Sequence, residues 1–145
     1  MATIQQLFNN NNAITITLAS LADATFATSS AIDNSVNKFI SAIIQLKIKT
    51  GASGVGATGR IEVYLIRSSD GGTTYDDSSA LNSEPLGSFV ANANATTYIF
   101  SIDTSKVGTL PSHWKVAVKN ATGTTLDGTE GNHAKNYAGM RFETA

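Results

Sequence analysis

Hydrophobic and polar residues alternate along most of this chain. Ile14, Ile16 and Leu18 are separated by Thr15 and Thr17, the period of two that marks a strand with one buried face. Within 39–49, Ile44, Leu46 and Ile48 share one face, and Gln45, Lys47 and Lys49 the other. Ile61, Val63 and Leu65 point inward from 60–67, with Glu62, Tyr64 and Ile66 opposite. Tyr98, Phe100 and Ile102 line one face of 96–102; Trp114, Val116 and Val118 alternate with Lys115, Ala117 and Lys119. Residues 86–90 form a weaker strand, and Ala138, Met140 and Phe142 close the pattern.

With turn signals between them, these runs make about eight strands, spaced as in an all-β sandwich or barrel. Only 4–8 and 29–38 hint at helix, and neither is long enough to anchor a helical layer. The expected fold is therefore an all-β, antiparallel β-sandwich with jelly-roll connectivity and an extended N-terminal arm. Its core is expected from Ile16, Leu18, Ile44, Leu46, Ile48, Ile61, Val63, Leu65, Phe100, Trp114, Val116 and Val118. The connection 51–59 carries four glycines, at 51, 54, 56 and 59, too flexible a composition for a buried element.

The most distinctive local signal is Ser68-Ser69-Asp70-Gly71-Gly72-Thr73-Thr74-Tyr75. Adjacent glycines take positive φ freely, and the Asp70 carboxylate can accept from nearby backbone amides. Ser68, Asp70, Gly71, Gly72, Thr74 and Tyr75 are thus read as a structural turn leading to a return strand. The other distinctive segment is the start of the chain. Asn9 to Asn12 separate Ile4, Leu7 and Phe8 from the first expected strand, which divides the chain into an arm, 1–13, and a sandwich domain, 14–145. Apolar residues on a free tail call for a cover, so Ile4, Leu7 and Phe8 are the candidate partner-binding residues. If the segment is only a docking arm, its removal should leave the melting temperature of the domain nearly unchanged.

Charge and composition remove several function classes. Charged residues are 14% of the 145, and the formal net charge is −1. Such a surface has little counterion-release grip on phosphate, which argues against nucleic acid as a partner. There is no cysteine, hence no disulfide or thiolate metal site. The first residues lack a secretion signal and no apolar run reaches membrane-spanning length, so synthesis in the cytosol and no membrane partner are expected.

Chemistry is sparse. His113, in Leu110-Pro111-Ser112-His113-Trp114, is expected on the surface at the start of a strand, with no G-x-S-x-G elbow to pair with it. Asp70, Asp76 and Asp77 could offer oxygen ligands to Ca²⁺, as could Asp127, Glu130 and Asn132, but neither spacing matches an EF-hand loop and turn capping explains both. The sequons at Asn94 and Asn120 carry no meaning without a secretory route. No catalytic residue, metal site or cofactor is expected, and the chain reads as a non-enzyme. One alternative is a carbohydrate-binding or host-recognition module, with Tyr64, Tyr75, Tyr98 and Tyr137 as rings for sugar stacking.

Two resemblances add to this reading. Ser68-x-Asp70-x-Gly72-x-Thr74-Tyr75 resembles the Asp-box hairpin of sialidases and other β-propellers; it occurs once in a chain too short for a propeller, so it implies a turn and no glycosidase activity. Ala31-Ile32-Asp33-Asn34-Ser35, Tyr64-Leu65-Ile66-Arg67-Ser68 and Leu110-Pro111-x-x-Trp114-Lys115-Val116-x-Val118-x-Asn120, running on through Thr122-Gly123 to Leu126-Asp127, together resemble small virion structural proteins of tailed bacteriophages. The likeness covers roughly residues 15 to 130, with turn motifs as its specific part. It implies a β-sandwich component of the virion, assembled in the host cytoplasm, with capsid decoration or cement ahead of a tail position. Its implied partners are the major capsid protein or other virion proteins. Closed symmetry makes a homo-oligomer the expectation, a trimer suiting capsid threefold sites.

Overall fold

The computed structural model describes residues 3–76 and 85–144. Among the described residues nine strands form two antiparallel sheets: β1 (Ile4–Ala13), β2 (Phe26–Thr28), β3 (Ile32–Asp33), β4 (Ser41–Lys49), β5 (Arg60–Ser68), β6 (Gly87–Val90), β7 (Thr97–Asp103), β8 (His113–Ala121) and β9 (Ala134–Thr144). Sheet A has the order β1-β9-β4-β7, and sheet B the order β2-β8-β5-β6, with β3 also on β8. β2 lies opposite Ala117 to Lys119 and β3 opposite His113 and Trp114, so the two act as one interrupted strand running along β8.

Counted that way, first pairs with last throughout: β1 with β9, β2/β3 with β8, β4 with β7, and β5 with β6. The chain is one long antiparallel hairpin, and bending it over brings β4 beside β9 and β5 beside β8. Nested pairs with these two closures define a jelly roll.

The core lies between the sheets. Ile44, Leu46 and Ile48 of sheet A face Ile61, Val63, Trp114, Val116 and Val118 of sheet B, all buried. Each such side chain contributes about 1.5–3 kcal/mol by leaving water. The Trp114 and Phe39 rings pack edge-on against Tyr137, at centroid distances of 5.2 and 6.4 Å. Phe89 stacks on Phe100 at 4.1 Å near the rim, where Phe100 and Leu65 are only partly buried. Ile14, Phe39, Leu110, Leu126 and Tyr137 join the core beyond the expected set.

Three local expectations change. Residues 14–18 keep their alternating burial but belong to no ladder. They carry the chain from sheet A to sheet B, and their backbone groups are satisfied singly: Ile14 N–H donates to the Lys135 carbonyl (3.0 Å), and Leu18 and Ala19 donate to the Glu130 carboxylate (3.0 and 2.7 Å). Residues 4–8 are strand rather than helix, because pairing with β9 satisfies the backbone groups on that side. Residues 29–38 hold β3 and a turn, with Lys38 at φ 53°.

Residues 4–13 of the expected arm form β1, the outer strand of sheet A. Ile4 to Phe8 pair with Met140 to Thr144, while β4 reaches only as far as Met140. The two strands therefore run on past β4 as a ribbon. The asparagine run is a β-bulge: the register passes from Asn9↔Gly139 to Asn12↔Tyr137, placing an extra residue on β1. Asn11 takes φ 60°, a conformation asparagine tolerates better than most residues. The Asn12 side chain donates to the Asn9 carbonyl (2.9 Å), tying the bulge together.

Candidate functional site

The Asp-box turn is a closed hydrogen-bond unit. Asp70 Oδ1 accepts from Ser68 Oγ (2.8 Å) and from the amides of Thr73 (3.0 Å) and Thr74 (2.9 Å). The Thr74 hydroxyl donates to Oδ2, and the Gly72 amide donates to Ser68 Oγ (2.8 Å). These donors, the Thr74 hydroxyl foremost, hold the Asp70 carboxyl well below the usual range. Gly72 sits at φ +94°, and a Cβ there would lie 2.9 Å from His113 Cδ2. His113 thus packs on the turn, 22% exposed in its side chain, with Nε2 3.7 Å from Asp33 Oδ1. The turn closes back on β5 through Asp76 N–H to the Arg67 carbonyl (3.0 Å); Thr73 to Asp76 lie in no strand, and among the described residues β6 pairs with β5 at Arg60 to Val63. Asp77 lies outside the described residues.

The second acidic group is also structural. Asp127 Oδ1 accepts from Asn132 Nδ2 (2.8 Å) and the Thr129 amide (3.0 Å), and Lys49 Nζ lies 3.4 Å from Oδ2. Chiefly through the Asn132 bond, its pKa falls to about 2. Burial works against ionisation of Glu130, but an ion pair with Lys135 and the Ala19 and Leu18 amides outweigh it and lower its pKa. Buried His133 bridges the same corner, its ring nitrogens facing the Lys49 amide (3.4 Å) and the Asp127 carbonyl (3.1 Å). Among the described residues no group of three or more His, Cys, Asp or Glu side chains is placed to hold a metal ion.

The tyrosines form no open platform. Tyr137 is in the core and Tyr64 is buried on the outer face of sheet B. Tyr75 lies under the Lys115 ammonium, 3.9 Å from its ring centre. Tyr98 accepts from the amides of Asn92 (3.2 Å) and Ala93 (3.0 Å), fastening a turn.

Apolar side chains are left open on one face. On the outer face of sheet A, Ile4 is 72% exposed, Phe8 49%, Phe142 58%, Ile43 42% and Ile99 65%. The register sets them on one side: Phe8 lies opposite Met140, Gln6 opposite Phe142, and Ile43 opposite Ala138. Next to this strip, Asn10, Asn11, Ile43, Gln45, Ser101 and Asn136 help line a groove of about 370 Å³. Ile4 and Phe8, expected to meet a partner, are therefore joined by Phe142 and Ile43. Leu7 faces the other way, opposite Arg141, and is partly buried. Phe142 carried a sequence signal, its alternation with Arg141; the pattern fixes a side of the strand, and only the pairing shows that this side is open.

The strand pairing defines the class as a jelly-roll β-sandwich. No protein family and no curated protein matches the chain. Among solved structures, the chain aligns over its whole length with one described as the crystal structure of PBCV-1 VP54 fitted into a cryo-EM reconstruction of the virophage Sputnik, at 9% identity and a TM-score of 0.39. It spans 43% of that chain. No helix among the described residues is long and apolar enough to cross a membrane.

Proposed function

We propose that this chain is a non-enzymatic virion structural protein, a capsid decoration or cement component of a bacteriophage. It bridges neighbouring capsomers through the β1–β9 ribbon and the outer face of sheet A. The observation that carries the reading is the apolar strip Ile4, Phe8, Ile43 and Phe142, open on a molecule whose Asp70, Asp127 and His133 side chains are engaged in holding turns. An exposed apolar strip beside neutral amides suits a protein–protein interface. The partner is the major capsid protein or another virion protein, and many modest contacts on one particle would add multivalently.

Purified protein is to be added to capsids lacking it and the particles imaged by cryo-electron microscopy. Ordered density at symmetry-related positions between capsomers, with the β1–β9 ribbon against the shell, is the expected result. Absence of binding to heads, with density on the tail, would sink the cement role and favour host recognition.

A further inference from the structure

We infer that β1 is a self-pairing edge, and that two copies of this chain join β1 to β1 about a twofold axis through Gln6. An edge strand turns every second N–H and C=O outward, and these groups are matched only by another strand. The sheet edges differ in how they are protected. On sheet B, β2, β3 and β6 are three, two and four residues long, too short to template a partner. On sheet A, β7 runs seven residues and ends in Asp103. β1 runs ten residues, Ile-Gln-Gln-Leu-Phe-Asn-Asn-Asn-Asn-Ala, with no charge and no proline, and its only ladder neighbour among the described residues is β9.

The residues themselves select the partner and the register. Pairing β1 with its own copy in antiparallel fashion keeps the outer faces of both sheets on one side only if the two residue numbers in each pair sum to an even value, because side chains alternate. With the sum at twelve, Ile4 of each copy faces Phe8 of the other, and Gln6 faces Gln6. A β-branched residue opposite an aromatic is a favourable cross-strand pair, and facing glutamines can exchange amide hydrogen bonds. Gln5 then meets Leu7 on the other face. The bulge after Asn9 ends the regular stretch, which limits pairing to residues 3–9. The contact is isologous, so it closes at two copies and uses up the open edge. It also merges two apolar strips, each with Ile4, Phe8 and Phe142, into one. The inference stands on the edge itself and does not depend on the virion role: a dimer that ignores capsids would leave it intact.

Sedimentation equilibrium of the full chain should show a monomer–dimer equilibrium, and a monomer at every concentration, or a trimer, would overturn the proposal. Gln6 is exposed, so Gln6→Lys and Gln6→Glu should each keep the circular dichroism spectrum and unfolding midpoint. Each places like charges across the axis and should weaken the dimer about tenfold or more. Mixing the two chains should restore it as a heterodimer. Undiminished dimers in both variants, or no recovery on mixing, would refute the Gln6 axis. Because the chain has no cysteine, Gln6→Cys supplies a single thiol. Paired strands put facing Cα atoms about 4.5–5.5 Å apart, within disulfide reach. Mild oxidation should give covalent dimers with Gln6→Cys and not with Asn94→Cys, on a remote exposed turn; equal cross-linking of both would count against the pairing.

Discussion

The two outer faces of the sandwich are finished differently. On sheet B, Glu62 is 7% exposed, held by Arg60 Nε (2.7 Å), the Tyr64 hydroxyl (2.8 Å) and Lys119 Nζ (3.7 Å). Phe26 packs edge-on against Tyr64 at 5.5 Å, and Lys119 and Lys115 lie over Phe26 and Tyr75. Ile66 and Ala117 are buried beneath this cover. Burial, then the Glu62 bond, pushes the Tyr64 pKa up to about 12. Sheet A has no such cover among the described residues, and its outer strip stands in water. The chain uses its own polar groups to cover much of one face and leaves the other open. An outward-facing side of a strand is thus not the same as an exposed one.

Replacing Glu62 should give the largest effect. Glu62→Ala leaves the buried Tyr64 hydroxyl without its charged partner, and should cost about 2–3 kcal/mol in urea unfolding. Ile43→Ala, its counterpart on sheet A, should cost much less; equal losses would erase the distinction between the faces. Gly139→Ala comes next. Its Cβ would lie 2.3 Å from the Phe39 ring, so Phe39 must move, at about 1–3 kcal/mol by denaturation.

Acid should act through the engaged carboxylates. Burial opposes ionisation of Glu62, but Arg60, Tyr64 and Lys119 prevail and its pKa is lowered, as are those of Glu130 and Asp127. Depressed folded-state values mean that the unfolded chain binds more protons in acid. The stability they contribute is complete above the unfolded values near pH 4 and is lost as pH falls toward about 2. A pH series of urea midpoints should fall in that window, and Asp127→Asn should flatten the fall. The smallest change in stability is expected from Phe142→Ser, within about 0.5 kcal/mol. Capsid binding should nevertheless weaken clearly, and unchanged binding would remove the strip from the interface.

Much of this architecture is legible in the chain because a period of two reports burial directly. Ile44, Leu46, Ile48, Trp114, Val116 and Val118 fall where alternation puts them. The Asp70 turn is legible because all its partners lie within a few residues. Ile14, Ile16 and Leu18 alternate and are buried, yet pair with no strand, since alternation is blind to hydrogen-bond partners. Ile4, Leu7 and Phe8 have helix-like spacing, but the β9 ladder overrides so short a local preference. The candidate interface was half legible. Ile4 and Phe8 stood out as apolar residues set apart by asparagines, whereas Ile43 and Phe142 join them only through cross-strand register. Removing β1 would also uncover β9, so the melting temperature should fall where a free arm would have left it unchanged.

The position of β9 bears on the order in which the molecule can be made. Every strand of sheet B, from β2 to β8, precedes β9 in the chain, while β9 lies between β1 and β4 in sheet A. During synthesis sheet B can assemble first, and β1 waits with its backbone unpaired until the last strand arrives. Contacts this distant in sequence make folding slow, because a long loop must close before they form. Throughout that wait, the uncharged edge and its phenylalanine are open to other nascent chains. Crowded translation on one message prolongs that exposure, and the low charge of β1 is then a kinetic hazard.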